Sequence, residues 1–343
     1  MTTSRFDAFL LLSFGGPEGP DDVLLFLRNV TRGRGVPDER LAAVAEHYQH
    51  FGGVSPINSQ NRALLTAIEA EFRQHAIELP VYWGNRNWHP LVADVVRQMA
   101  DDGIRNALVL TTSATSSYSA CRQYREDLAA AGAALSERAP GLVKLRHYFD
   151  HPGFIAANAD RVRCAVDDLP EELADRARLV CTAHSIPVAM NQTSGPSGGL
   201  YLRQHRETAR LVTEAVRGPG AQVDLAWQSR SGPPHVPWLE PDINDHLQSL
   251  AALGESAVVI SPTGFVSDHL EVLWDLDIEA ARTARRLGLA FSRAATVGTH
   301  PAFVGAIREL VEEQLAGERA RTLGALGLCG IDCPATCCPG RPT

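Results

Sequence analysis

Short apolar runs alternate with amphipathic stretches along almost the whole chain. The runs are rich in Val, Leu, Ile and Ala, and the stretches between them have the spacing of amphipathic helices. The runs lie at 8–13, 81–84, 107–111, 145–148, 179–183, 223–227, 257–260 and 289–292, and the main helical stretches at 21–30, 61–75, 91–101, 119–131, 154–166, 202–216 and 300–315. This alternation is typical of βαβ units with parallel sheets. It predicts an α/β protein with two Rossmann-like lobes, each a parallel sheet flanked by helices, and a cleft between them.

The length of 343 residues also fits two domains. We expect an N-terminal lobe at 1–125 and a C-terminal lobe at 126–320, with the helix at 300–315 packing on either lobe. The segment 321–343 is rich in Gly, Pro and Cys and cannot build a core by itself. It needs a metal, or docking onto the body, to be ordered.

Charge and hydropathy exclude several classes of function. The formal net charge of −8 disfavours a general role in nucleic-acid binding. No apolar run approaches the roughly 18 residues of a membrane-spanning helix. Asp7 and the turn at 15–17 interrupt any signal-peptide core. We therefore expect a cytoplasmic protein without a transmembrane segment, in a compartment where disulfides are rare.

The stretch 256–280 joins a buried strand to an acidic helix through a Pro/Gly turn. Beyond the turn come His269 and then Glu271, Asp275 and Glu279, spaced four residues apart along one side of a helix. Such spacing is more often a solvated face. Apolar neighbours and the preceding buried strand instead favour a path for protons or a divalent metal, because adjacent carboxylates repel unless they hold a proton or a cation.

His184 directly follows the apolar run 179–183. An arbitrary histidine at a strand end is usually a capping or core residue. This position is nevertheless where α/β proteins place ligand groups. A neutral imidazole here could bind a divalent metal or accept a proton near neutral pH.

Basic and aromatic residues recur near the predicted strand ends. Together they suggest a planar aromatic ligand with carboxylate arms, stacked on apolar surface and held by arginines. The residues are Arg32, Arg34, Arg86, Tyr118, Tyr124, Trp227 and Arg230.

Four of the seven cysteines lie within the last fifteen residues. An odd number of cysteines clustered at one end of a cytosolic chain indicates a metal or a cluster rather than a disulfide framework. A Cys₄ site holds either zinc or an iron–sulfur cluster. Cys164, in the body of the chain, could supply a further ligand.

Five segments resemble the ferrochelatase family, and the resemblance covers nearly the whole chain. They are S-F-G-G-P-E-G-P-D-D-V at 13–23, F-G-G-V-S-P-I-N at 51–58, T-A-H-S-I-P at 182–187, W-Q-S-R-S-G-P at 227–233 and G-F-V-S-D-H-L-E-V-L-W-D-L-D-I-E at 264–279. The Cys-rich tail and R-G-R-G-V-P at 32–37 resemble the actinobacterial members, which belong to the coproporphyrin-dependent haem route. The resemblance implies a chelatase-like fold in which two Rossmann-like lobes clasp a porphyrin.

The resemblance also implies roles for individual residues. His184 would be the catalytic histidine on one face of the macrocycle and Glu271 the facing carboxylate, so both are candidate ligands of the substrate Fe²⁺. Asp275, Glu279 and His269 would continue a proton or metal path, which in the family runs along a π-helical turn. Inserting Fe²⁺ requires the loss of two pyrrole N–H protons, and imidazole with carboxylates suits both tasks. Whether His184 mainly takes protons or mainly delivers iron stays open here.

The chain departs from some relatives at the predicted porphyrin site. Phe14 lies where some coproporphyrin-type enzymes have an iron-ligating tyrosine, and Asn87 where they have a histidine. The polar segment 31–50 lacks the apolar lip of membrane-bound relatives, which favours a soluble enzyme and a substrate with four propionates. The expected porphyrin contacts are Phe14, Arg32, Arg34, Ser55, Arg86, Tyr124 and Trp227.

The tail resembles the [2Fe–2S] site of cluster-bearing members, which use one internal and three C-terminal cysteines. Cys164 is the expected internal ligand, and the choice among the tail cysteines stays open. The five candidates for four places are Cys164, Cys329, Cys333, Cys337 and Cys338. Because the cluster is peripheral in the family, we expect a structural or sensing role.

The predicted function is insertion of Fe²⁺ into coproporphyrin III to give coproheme, a lyase reaction of haem biosynthesis. The alternatives are a protoporphyrin IX ferrochelatase and a haem or tetrapyrrole carrier without catalysis. A base that faces an acidic path argues against a carrier. We expect a monomer whose partners are its small-molecule substrates and, transiently, the next enzyme of the haem pathway.

Overall fold

The computed structural model describes residues 5–33, 35–331, 333–334 and 336–340. Its strands form two four-stranded parallel sheets flanked by helices, which confirms the predicted fold class. The first sheet contains β1 (Ala8–Ser13), β2 (Val81–Asn85), β3 (Asn106–Thr111) and β4 (Gly141–Lys144), in the order β2-β1-β3-β4. The second contains β5 (Arg178–His184), β6 (Asp224–Gln228), β7 (Ala257–Ser261) and β8 (Ala290–Arg293), in the order β6-β5-β7-β8. Both sheets therefore share one strand order.

Helices cover both faces of the sheets. They are α1 (Asp22–Val30), α2 (Asp38–His50), α3 (Ile57–Gln74), α4 (Val92–Asp101), α5 (Gln123–Ala133), α6 (Pro152–Asp167), α7 (Glu171–Ala174), α8 (Val188–Gln192), α9 (Leu200–Arg217), α10 (Ile243–Ala252), α11 (Leu270–Val272), α12 (Ala281–Leu287) and α13 (Pro301–Leu315). Two π-helical segments, Tyr118–Arg122 and Leu273–Ala280, precede α5 and α12, and the second confirms the π-helical turn expected in the acidic stretch. Within the described ranges, no helix has the length and apolar character needed to cross a membrane.

The structure differs from the prediction at one strand and at five helices, of which α7, α8 and α12 are short. The fourth strand is β4, and residues 145–148 follow it as buried chain outside the sheet. An apolar run indicates that its residues are buried, and buried residues need not pair in a sheet. The helices α2 and α10 were not predicted. The sequence of α2, within the polar segment 31–50, is mostly polar because only one narrow side of the helix is buried.

One hydrophobic cluster joins the two lobes. It includes Phe9 and Leu108 of the first sheet and Val259 of the second, packed around α6 and α13. The closing helix α13 contacts both α6 and α3. A shared core of this size fixes the relative position of the two sheets at the cleft.

The predicted lobe boundary after residue 125 falls inside α5, and β4 beyond it still pairs with β3. We propose instead that the first lobe ends after β4, at Lys144, and that the second sheet begins with β5. The sequence placed the boundary too early because β4 is only four residues long.

The tail beyond α13 docks onto the body of the protein. The His147 backbone N–H donates to the Cys329 carbonyl at 2.9 Å, and the Leu323 N–H donates to the Asp150 carbonyl at 3.0 Å. The Gly195 N–H donates to the Cys338 sulfur at 3.1 Å, so the tail also reaches the second lobe. Docking thus orders a segment whose composition could not build a core.

Replacing Arg146 by Met is expected to destabilise the protein by about 3–5 kcal/mol, because it leaves a buried carboxylate without its partner. The Arg146 Nε and one terminal nitrogen each donate to Glu313 at 2.7 Å, and the two side chains are only 1% and 7% exposed. The free energy of unfolding in urea measures the effect.

The matched control is Arg97→Met, which removes an ion pair with Asp94 in which both side chains are 54% exposed. Exposed ion pairs contribute little to the free energy of unfolding. The interpretation is wrong if Arg146→Met destabilises no more than this control does.

Candidate active site

His184 and Glu271 meet at the carboxyl edge of the second sheet. His184 ends β5, and the chain that leaves the adjacent strand β7 turns into α11, which carries Glu271. Connections leave β5 and β7 in opposite directions, and α/β proteins bind ligands at such a switch point. His184 Nε2 lies 3.6 Å from Glu271 Oε2. The topology therefore brings together two side chains that are 87 positions apart (271 − 184).

One contact holds the imidazole of His184 and a second holds its backbone. Its Nδ1 lies 2.5 Å from the Ser185 carbonyl oxygen, and the hydroxyl of Tyr201 donates to the His184 carbonyl oxygen at 2.8 Å. Because a carbonyl can only accept, Nδ1 must carry a hydrogen. In neutral His184 the lone pair is then on Nε2, which points toward Glu271. That nitrogen can accept a proton or bind a metal.

The two side chains shift each other's pKa in opposite directions. Burial lowers the pKa of His184, but the interaction with Glu271 outweighs it and the net pKa is raised. Burial raises the pKa of Glu271, yet the hydrogen bond and the charge of His184 bring it down to about 2. The His184 side chain is still 37% exposed and that of Glu271 47%, so a ligand can reach both.

Asp275 lies on the π-helical segment Leu273–Ala280, which directly follows the helix α11 that carries Glu271. It accepts hydrogen bonds from the hydroxyl of Ser229 and, at 3.3 Å, from the amide of Gln228. Burial raises the pKa of Asp275 to about 7; the bond from Ser229 opposes this shift, and the charges of Glu271 and Glu279 add to it. This carboxylate can therefore exchange a proton near neutral pH.

Glu279 lies at the exposed end of the acidic series, where it accepts a hydrogen bond from the indole of Trp274 at 2.9 Å. The ring of Trp274 stacks on His47 of α2, with centroids 4.0 Å apart. A cavity of about 40 Å³ runs between α2 and the acidic segment and is lined by His47, Trp274, Glu271 and Asp275. It is a space through which Glu271 and Asp275 could exchange protons or a small ion.

Other ionisable groups lie near the acidic series. His269 occupies the N-cap position of α11, and the centroid of its ring is 5.1 Å from that of Phe265. Burial lowers the pKa of His269, so the ring is neutral at pH 7. Asp268 and Asp277 are both paired with Arg293, which removes them from the acidic path.

Replacing Ser229 by Gly is expected to lower turnover at pH 7 by about 3- to 10-fold, because a hydrogen bond that stabilises ionised Asp275 is lost. The pKa of Asp275 would rise further, so the acidic limb of the pH–rate profile should move to higher pH. Rates measured between pH 5.5 and 9 test this.

Ser229→Ala is the matched variant for this prediction. Ser229 has a φ of +60°, a conformation that glycine adopts freely and alanine does not. Both variants should show the same pH shift, and the Gly variant should be the more stable of the two because it relieves the positive-φ strain that Ser and Ala share. Unchanged pH profiles in both would contradict a role for the hydroxyl.

The remaining predicted porphyrin contacts divide into two groups. Phe14 is half-buried beside Phe26, Arg32 is exposed and donates only to Asn29, and Ser55 is buried against the turn at Gly16. These three stay predictions. Arg34 lies outside the described residues.

Three further predicted contacts are instead buried in the body of the protein. Arg86 pairs with Asp127 and lies 4.5 Å over the ring of Tyr124, and its side chain is only 4% exposed. Tyr124 and Trp227 belong to core clusters. That these three residues touch a ligand stays a prediction, and in the structure their side chains pack against other protein groups.

The predicted internal cysteine ligand, Cys164, stays a prediction, and the structure offers a second candidate. Cys164 is exposed on α6 and has no contact with the tail among the described residues. The buried thiol of Cys121 instead interacts with those of Cys329 and Cys338, which helps to raise the pKa of both. Cys121 follows β3 at the carboxyl edge of the first sheet, and this was the signal in the sequence that could have identified it.

The tail thiols form a chain of contacts rather than a closed cage. Cys337 and Cys338 sulfurs are 3.8 Å apart, and Cys333 interacts with the thiols of Cys329 and Cys337. In the part of the chain that is described, no three His, Cys, Asp or Glu side chains surround a common point as they would around one metal ion.

Comparison with known proteins agrees with this geometry. A family model described as Ferrochelatase matches residues 6–315. A relative from Streptomyces griseus named coproporphyrin III ferrochelatase is 54% identical, with 98% of this chain and 94% of the relative covered. Relatives with the same name are 56% identical in Nocardia farcinica (97% and 96% covered) and 57% identical in Mycolicibacterium smegmatis (91% and 91% covered).

Solved structures show the same fold at low identity. SirB from Bacillus subtilis with Fe³⁺ has a TM-score of 0.54 and 14% identity, with 91% of this chain and 97% of that chain covered. At that identity the likeness concerns the fold alone. The family model and the relatives, by contrast, span nearly all of the chain, and the chain therefore belongs to the ferrochelatase family.

Proposed function

We propose that this protein is a metal-chelating lyase that inserts Fe²⁺ into coproporphyrin III to give coproheme in haem biosynthesis. The observation that carries the proposal is the contact of His184 with Glu271 at 3.6 Å, at the switch point of the second sheet. Relatives named for this substrate, at 54–57% identity over nearly the whole chain, support it.

The proton balance assigns a role to each group. Fe²⁺ replaces two pyrrole N–H protons, so two protons must leave the porphyrin for each iron inserted. The Nε2 of His184 is the acceptor nearest the cleft, and ionised Glu271 stabilises the imidazolium that forms. With a pKa of about 2, Glu271 is a poor proton acceptor itself and suits the ferrous ion. Asp275, with a pKa of about 7, can pass the proton on toward Glu279.

We propose that His184 and Glu271 act on the same face of the macrocycle. Van der Waals contact needs about 3.5 Å on each side of a flat ring, so groups on opposite faces would be roughly 7 Å apart. The observed separation is 3.6 Å. This distance argues against the expectation from sequence that Glu271 faces His184 across the porphyrin.

Coproporphyrin carries four propionates where protoporphyrin IX carries two, and an exposed arginine without an ion pair is the kind of group that would bind a propionate. Arg32 is exposed and makes no ion pair within the described ranges. The neighbouring helix α2 presents a polar outer face, and its apolar residues are turned into the body. Arg32 is therefore our candidate for a propionate contact, with Phe14 and Ser55 beside it.

The substrate assignment is tested by anaerobic kinetics with Fe²⁺ and each porphyrin. We expect a higher kcat/KM with coproporphyrin III, and Arg32→Met should reduce that preference. Arg28→Met, which removes an exposed ion pair with Asp38, is the matched control. A kcat/KM equal or higher with protoporphyrin IX would contradict the substrate assignment and leave the reaction class intact.

We further infer that the tail holds a [2Fe–2S] cluster. Such a cluster takes two thiolates on each of its irons, and contacts between pairs of thiols are what the tail provides. Cys329, Cys333 and one of the adjacent pair Cys337 and Cys338 are the tail candidates, and Cys121 joins Cys164 as a candidate for the internal one. When bound, the cluster would supply one-electron chemistry or cross-link the tail.

The expected monomer, the cytoplasmic location and the transient contact with the next haem-pathway enzyme stay predictions. Size-exclusion chromatography of the purified protein tests the first of them directly.

A further inference from the structure

The single lysine of the chain is buried beside the cysteine tail. Lys144 ends β4 and is the only lysine among 343 residues, against 31 arginines. Its residue exposure is 5%. Lysine is almost never fully buried unless its charge is paired, so this position needs a partner.

Among the residues that the structure describes, no carboxylate supplies that partner. Within the described ranges, the Lys144 ammonium makes no ion pair, and it donates one hydrogen bond, to the Leu145 carbonyl at 3.1 Å. Burial lowers its pKa, and the groups that oppose this effect are the thiols of Cys121, Cys329 and Cys333. The chain that follows Lys144 also contacts the tail, because the His147 N–H donates to the Cys329 carbonyl oxygen at 2.9 Å.

Arg125 of α5 adds a second cation at the same place. It donates to the carbonyl oxygens of Gly330 and Ile331 at 2.5 and 2.9 Å, and among the described residues its buried Nε has no hydrogen-bond partner. These carbonyls orient the guanidinium without neutralising it. The hydrogen bond from Cys329 and the charge of Arg125 lower the pKa of Cys333 to about 5.

The other polar groups around the thiols carry no compensating charge. The imidazole of His147 is buried, and burial with the nearby cations holds its pKa well below the usual range, so it is neutral. Its Nδ1 contacts the Ser116 hydroxyl at 2.8 Å, and that hydroxyl contacts the Cys329 sulfur at 3.2 Å. Among the described residues, buried Lys144 and half-buried Arg125 thus lie beside the thiols with no carboxylate paired to either, and a third cation, Arg122, donates to the Cys337 carbonyl oxygen at 3.1 Å.

We propose that Lys144 and Arg125 balance the negative charge of the thiolate-bound [2Fe–2S] cluster and set its reduction potential. The proposal rests on the cluster inferred above and goes beyond it by assigning the cationic side of the site. Four thiolates around a cluster carry net negative charge, and reduction adds one more. A positive charge at short range stabilises the reduced form more than the oxidised form, which raises the potential.

The test compares Lys144→Met, Lys144→Gln and Lys144→Arg with wild-type protein, all purified without oxygen. Iron and sulfide content, the visible spectrum and a reductive titration with redox dyes are measured for each. We expect the Met and Gln variants to keep the cluster and to show a more negative midpoint potential. Lys144→Arg should stay near the wild-type potential. Arg97→Met, an exposed cation on α4, is the control for loss of a distant charge.

Each outcome decides the proposal. Met and Gln variants with full cluster content and the wild-type potential overturn it. If those variants lose the cluster while Lys144→Arg retains it, the charge is required and the proposal stands. Loss of the cluster in all three variants would show that the shape of the lysine side chain is required, and this result overturns the proposal. A wild-type protein that holds no cluster also overturns the proposal, because no cluster charge is then present to balance. Iron insertion measured on the same samples separates this failure from a failure of the proposed reaction.

Discussion

Replacing His184 by Ala is expected to lower kcat for iron insertion by about 10²- to 10⁴-fold, the range in which a positioned acid–base group contributes. The imidazole has its Nδ1 committed to the Ser185 carbonyl and its Nε2 directed toward Glu271, so no other described nitrogen is placed to take its role. Binding of the porphyrin depends on the walls of the cleft and should survive. Initial rates of metallation and quenching of Trp fluorescence by porphyrin measure the two effects separately.

The control is His75→Ala, at the C-terminal end of α3, which should leave both quantities unchanged. The assigned role of His184 would be wrong if its Ala variant lost porphyrin binding but kept normal turnover for each bound porphyrin.

Replacing Glu271 by Gln is expected to cost about 10²-fold or more in turnover, since the amide keeps the shape of the carboxylate and loses its charge. The charge stabilises both protonated His184 and the incoming Fe²⁺. It also raises the pKa of His184, so the substitution should lower that pKa. If His184 acts in its neutral form, the acidic limb of the remaining activity moves to lower pH.

This shift has the opposite sign to the one expected for Ser229→Gly, where Asp275 is harder to ionise. The pair of variants therefore distinguishes the two groups in one set of pH profiles. An acidic limb that stays in place in Glu271→Gln would show that His184 does not control it.

The fold was predictable because the alternation of apolar runs and helices records burial of parallel strands. The pattern failed at residues 145–148, whose burial comes from the tail and the core. It also missed α2, whose single buried side leaves the sequence polar. In both cases the information is in tertiary contacts that local periodicity does not contain.

The central pair of the site was predictable from position at strand ends and from resemblance, and the surrounding groups were not. Arg86 and Trp227 also stand near strand ends, yet their side chains are buried in the body of the protein. The direction of a side chain at the end of a strand depends on the next turn. For the same reason Cys121, in a π-helical turn, reaches the tail while Cys164 on a regular helix does not.

The acidic stretch illustrates what the structure adds to spacing. Glu271, Asp275 and Glu279 are equally spaced in sequence, but their environments differ. Glu271 is held ionised by His184, Asp275 is buried under Ser229 and Gln228, and Glu279 is at the surface. Three similar carboxylates thus form a graded series from the cleft to solvent.

The most direct test of the proposed reaction is the rate at which purified protein metallates coproporphyrin III with Fe²⁺ under anaerobic conditions, followed by visible spectra. We predict that the bands of the free porphyrin are replaced by those of coproheme far faster than in buffer, and that His184→Ala abolishes the acceleration. A wild-type rate no faster than in buffer would contradict the assignment of this site to iron insertion.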